Sequence, residues 1–147
     1  MRFSVAALSA AALPFVSAYI TGLAPFTGTY KADELTTMFP VTFNTGSTKV
    51  SFSDLSVNFG LSTPAEHTGD TVFGKPLINV DLVQFKRDSV CCSPFTINIP
   101  LNSGDLYNGA GAYVLTAAIV RTTGNGSPGQ AVFRADPFTV TFNATTA

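Results

Sequence analysis

The strongest constraint on this chain is a two-residue alternation of apolar and polar side chains in short segments. Phe95, Ile97, Ile99 and Leu101 alternate with Thr96, Asn98 and Pro100, and Phe138, Val140 and Phe142 repeat the pattern near the C-terminus. Successive strand residues point to opposite faces, so this period lays one apolar face on a core. A helix would place apolar residues every three to four positions, and no segment beyond the N-terminal leader does so. The segments are β-branched and aromatic, and Gly, Pro, Asn and Ser separate them. That combination predicts an all-β domain.

Strands are expected at Tyr19 to Leu23, Met38 to Phe43, Lys49 to Leu61, Leu77 to Phe85, Phe95 to Leu101 and Tyr113 to Arg121, with a last one carrying Phe138, Val140 and Phe142. Asn44-Thr45-Gly46-Ser47 is expected to turn. In the third segment the apolar set changes face between Phe52 and Leu55, which a bulge near Ser53-Asp54 would correct. Loops are expected at Ser62 to Lys75, Asn102 to Gly111 and Gly124 to Gly129. Tyr113, opening a strand after a glycine-rich loop, suits a tyrosine corner, in which the hydroxyl bonds back to the loop backbone. An immunoglobulin- or fibronectin-like β-sandwich of about seven strands follows. An antibody-type domain is excluded, because the chain has no Trp and no Cys pair that could bridge two strands.

The first residues read as a secretory signal peptide. Arg2 is followed by an uncharged Ala/Leu/Phe-rich run and by the small residues of Val16-Ser17-Ala18. Cleavage is expected between Ala18 and Tyr19, giving a signal peptide at 1–18 and a single domain at 19–147. The apolar run is shorter than the roughly 20 residues needed to cross a bilayer. Removing Arg2 leaves seven basic residues against nine acidic ones, with no basic run longer than two. Nucleic acid and anionic membrane surfaces need concentrated positive charge, so neither is an expected partner. The polar C-terminus lacks the apolar tail of a GPI signal. An extracellular monomer is expected.

Residues that carry chemistry are sparse. His67 is the single histidine and lies in a polar loop with Glu66 and Asp70, without a nucleophile motif beside it. One His and two acids are a thin ligand set for a metal. Gly124, Gly126 and Gly129 match the dinucleotide fingerprint in spacing but join two strands and open no helix, so they read as a turn. No catalytic, metal-binding or cofactor-binding residue is assigned, and the protein is not expected to be an enzyme. Cys91 and Cys92 are adjacent and are the two cysteines of the chain. A vicinal disulfide, two reduced thiols and an intermolecular link are the readings open to them. Asn125 and Asn143 head N-glycosylation sequons.

The segments Tyr19-Ile20-Thr21-Gly22, Val57-Asn58-Phe59-Gly60-Leu61, Gly69-Asp70, Phe95-Thr96-Ile97-Asn98-Ile99-Pro100 and Gly111-Ala112-Tyr113-Val114-Leu115-Thr116-Ala117-Ala118 resemble the fungal necrosis-inducing secreted protein family. The resemblance covers nearly all of 19–147. It implies a β-rich effector acting in the host apoplast or host cytoplasm. Such a protein would suppress plant pattern-triggered immunity by binding immune receptor-associated kinases, and could induce necrosis. It supplies no catalytic residues and offers no place for Cys91-Cys92. A secreted cell-wall or carbohydrate-binding β-sandwich protein is the alternative.

Overall fold

The computed structural model describes residues 17–69, 71–124 and 131–147. Eight strands run through them: β1 (Ser17–Leu23), β2 (Thr29–Ala32), β3 (Met38–Thr48), β4 (Ser51–Ser62), β5 (Lys75–Asp81), β6 (Phe95–Pro100), β7 (Gly111–Gly124) and β8 (Val132–Thr146). They form two sheets, ordered β1-β3-β6 and β2-β8-β7-β4-β5. All described pairings are antiparallel except β2 with β8. In immunoglobulin lettering β3 and β6 take the places of B and E. Strands β4, β7 and β8 take those of C, F and G, and β5 extends that sheet. The chain is an immunoglobulin-like β-sandwich.

The alternation seen in the sequence builds the core. Phe39, Val41 and Phe43 of β3 and Phe95 and Ile99 of β6 face Val57, Phe59 and Leu61 of β4, Tyr113, Leu115 and Ile119 of β7, and Val140 and Phe142 of β8. Aromatic rings make much of the contact. Phe39 and Phe142 meet across the sheets at 4.5 Å between centroids, and Phe43 stacks on Phe95 at 5.1 Å. Each such side chain contributes about 1.5–3 kcal/mol by leaving water.

Several expected boundaries move. Residues 44–47 do not turn: β3 runs on to Thr48, because β1 pairs with it through Tyr19↔Gly46 and Ile20↔Thr45, and the turn falls at Lys49-Val50. Strand β5 ends at Asp81 rather than Phe85. Asp81 Oδ1 accepts the Gln84 N–H at 3.0 Å, and the chain turns while Leu82 tucks into the core. Strand β2 raises the count from seven to eight. Only Tyr30 and Ala32 of its four residues are apolar, too few for a visible period. The corner at Tyr113 forms: its hydroxyl donates to Gly109 O at 2.9 Å and accepts the Asn108 N–H at 3.0 Å.

The bulge falls between Asp54 and Ser56, one residue beyond the expected place, and it has a polar consequence. It lets Asp54 share the inward face with Val57, Phe59 and Leu61, opposite its register partner Arg121 on β7. Arg121 is 1% exposed. Its Nε lies 2.9 Å from Asp54 Oδ1 as an ion pair, without the alignment of a hydrogen bond. Both partners also hold β1: Asp54 Oδ2 accepts the Ile20 N–H at 2.6 Å, and Arg121 Nη2 donates to Ile20 O at 2.9 Å. The rings of Tyr19, Phe52 and Phe138 lie within 6 Å of the guanidinium carbon. Backbone groups on an edge strand otherwise offer themselves to any passing strand, and this grip satisfies those of Ile20 from the opposite sheet.

Candidate recognition site at one end of the sandwich

Strand direction brings three connections to one end: residues 33–37, 63–74 and 101–110. Two of them are the long loops expected from the sequence, and the third follows the unexpected β2. Each is fixed by its own short-range bonds. Asp33 Oδ1 accepts the N–H groups of Leu35, Thr36 and Thr37 at 3.0, 2.7 and 2.9 Å, and Oδ2 accepts the Thr36 hydroxyl. The Thr36 hydroxyl and these amides hold the Asp33 carboxyl well below the usual carboxylate range. Leu35 stands at the tip, 86% exposed. In the third loop Asp105 accepts the Asn102 N–H at 3.1 Å, and the corner of Tyr113 closes the far side.

The loops are also bonded to one another. Ser103 N–H donates to Asp33 O at 2.7 Å. Glu66 Oε2 accepts the Thr63 N–H at 3.0 Å, the Thr63 hydroxyl at 2.9 Å and the Tyr107 hydroxyl. The Tyr107 bond is the main cause of a Glu66 carboxyl held below its ordinary value. Partial burial of the phenol, with the carboxylate beside it, pushes Tyr107 up to about 12. Lys75 and Asp105 approach to 3.5 Å, an exposed pair of small energetic weight.

Between the second and third loops lies an open cavity of about 390 Å³, lined by Ser62, Glu66, Val72, Gly74, Lys75 and Tyr107. That volume lies within the usual range for small-ligand sites, roughly 300–1,000 Å³. Ser62 is buried, and its Oγ finds no hydrogen-bond partner among the described residues. A buried hydroxyl left so costs about 1–3 kcal/mol.

The residues singled out in the sequence lie elsewhere or contribute little. His67 sits in the second loop, partly buried, its backbone N–H donating to Thr63 O at 3.1 Å and its Nδ1 without a partner among the described residues. Cys91 and Cys92 are at the opposite end, exposed in the β5–β6 connection, with sulfurs in bonding contact and Cys92 at φ 68°. Asn143 is exposed on β8. Asn125, Asp70 and all but the first residue of the Gly124 to Gly129 turn lie outside the described residues, as does the expected signal peptide up to Val16. Strand β1 takes in both Ser17 and Ala18. Ser17 Oγ bonds the Phe52 backbone twice at 2.8 Å, and Ala18 is buried ahead of Tyr19. Among the described residues no three His, Cys, Asp or Glu side chains cluster as metal ligands would, and no helix is long and apolar enough to cross a membrane. The pairing of Glu66 with Tyr107 went unseen in the sequence. Both loops were visible, but nothing in either announces a partner 41 residues away.

Fold and loop end together define a small immunoglobulin-like sandwich whose connections build a fixed, partly apolar tip. The chain matches the model of the Nis1 family over residues 16–146, and it belongs to that family. That membership is consistent with a fungal effector-like protein. No curated protein matches it.

Proposed function

We propose that this protein is a secreted fungal effector that suppresses plant pattern-triggered immunity by non-covalent binding to host immune receptor-associated kinases, without catalysis of its own. Membership of the Nis1 family across nearly the whole described chain carries this reading. The loop end supports it. Leu35, Val72 and Tyr107 are exposed there on loops tied by Ser103–Asp33 and Glu66–Tyr107 bonds. Large side chains held in place lose little freedom on binding and make good anchors. Recognition commonly sits on loops carried by a rigid scaffold.

The test is affinity capture from plant extract with the purified secreted protein and a Leu35→Asp/Val72→Asp variant. Capture of receptor-associated kinases by the native protein, lost in a variant of unchanged melting temperature, is the expected result. Absence of any kinase from the native capture would overturn the function. Equal capture by the variant would overturn the surface.

A further inference from the structure

We infer that the cavity between the 63–74 and 101–110 loops is a binding site for a neutral polyhydroxylated ligand, a mono- or disaccharide. The inference rests on the chemistry of its wall and stands apart from the kinase reading.

Charge decides first. Among the described residues the wall carries one carboxylate, Glu66, and one ammonium, Lys75, with Asp105 3.5 Å from the latter. An anion entering would meet Glu66 and Asp105 as well as Lys75, and a cation would meet Lys75 as well as Glu66, so neither sign gains a clear advantage. A neutral ligand meets neither penalty. It also finds both hydrogen-bond signs. Glu66 engages the loop through Oε2, which leaves Oε1 as an acceptor. Lys75 Nζ reaches Gly104 O and Asp105 Oδ1 only at 3.4 and 3.5 Å, so its donors are weakly spent. Ser62 Oγ lacks a partner among the described residues, and a hydroxyl both gives and accepts.

Shape decides next. Val72 and the Tyr107 ring supply an apolar wall beside these groups. A sugar ring has an apolar C–H face and a rim of hydroxyls, and needs such a surface flanked by polar groups. The Tyr107 ring is already held in place. Its hydroxyl is bonded to Glu66, and its edge packs on Tyr113 at 6.0 Å. Preorganisation of this kind lowers the entropic cost of binding.

The experiment is a titration of the ¹⁵N-labelled secreted protein, followed by amide shifts. The probes are glucose, N-acetylglucosamine, cellobiose and chitobiose, with glucuronate and glucosamine as charged isosteres. The expected result is saturable shifts at Ser62, Val72, Gly74 and Tyr107 for at least one neutral sugar, with Kd on the order of 1–10 mM, a range typical of weak small-ligand sites. The charged isosteres should bind at least threefold more weakly. Val72→Asp, which replaces the apolar wall by a second charge beside Glu66, should abolish the shifts. Ser62→Ala, a change too small to threaten the fold, should weaken them severalfold. Three results would each overturn the assignment: no saturable shift with any neutral sugar, shifts that persist in Val72→Asp, or tighter binding of a charged isostere. None of these readouts involves a kinase, so this site and the proposed function fail separately.

Discussion

Replacing Arg121 by Met should cost about 3–5 kcal/mol at neutral pH, the usual penalty for removing one partner of a buried ion pair. Methionine keeps the contact with the Tyr19, Phe52 and Phe138 rings, so packing changes little. What is lost is the only cation, among the described residues, within 3 Å of a carboxylate that is itself 1% exposed, together with the bond to Ile20 O. Asp136, also 3.1 Å from Arg121, retains Arg134 at 2.8 Å and adds little to the deficit. With a urea m-value of about 2 kcal/mol per molar, the midpoint should fall by about 2 M, read by far-UV circular dichroism because the chain has no Trp. The deficit should depend on pH in a definite direction. Burial raises the Asp54 carboxyl above its ordinary value, while the Ile20 amide and Arg121 pull it down. Without Arg121 it rises further. A carboxyl raised in the folded state favours folding while it is protonated, and that advantage disappears as pH climbs through the folded value. The variant should therefore regain stability relative to the native protein as pH falls toward about 4, the unfolded carboxyl value. Arg121→Met combined with Asp54→Leu should cost less than the two single changes together, because no unpaired charge remains buried. A single variant within about 1 kcal/mol of native, against the 3–5 expected for a buried pair, would refute the reasoning. So would a deficit that is the same at both pH values.

Three further outcomes are expected. Tyr113→Phe removes two hydrogen bonds and leaves the Asn108 N–H without its partner, which should cost about 1–2 kcal/mol in urea unfolding. In a spectrophotometric titration Tyr107 should ionise late, near 12, with Tyr30 also raised by its burial, and Glu66→Gln should lower the Tyr107 value in part, since burial remains. Because the folded value is raised, the Tyr107 contribution to stability is intact below pH 10 and is lost as pH rises from 10 toward 12; thermal melts in that window should show it. For Cys91 and Cys92, mass spectrometry after alkylation under denaturing conditions should show no added label until reductant is present, and one chain mass throughout; labelling without reductant would rule out the vicinal bond.

The two sheets were legible because strand alternation is a local signal. Phe95, Ile97 and Ile99 state their shared face within six residues, and Tyr113 states its corner by following a glycine-rich loop. Apolar residues out of step around Ser53-Asp54 even announced the bulge. Short or neighbour-dependent elements were not legible. Strand β2 has two apolar residues and exists because β8 accepts it in parallel. Residues 44–47 look like a turn and become a strand because β1 lies alongside.

By itself, then, the sequence determined the class of fold, the face each strand turns inward and the loops free to carry recognition, since each depends on residues a few positions apart. Tertiary structure alone decided that Asp54 meets Arg121 and together with it clasps Ile20, and that Glu66 reaches Tyr107 over a cavity. These meetings join residues 34 to 101 positions apart, across sheets and loops. Pairing at that distance is set by strand order and register, which no local pattern in the chain encodes.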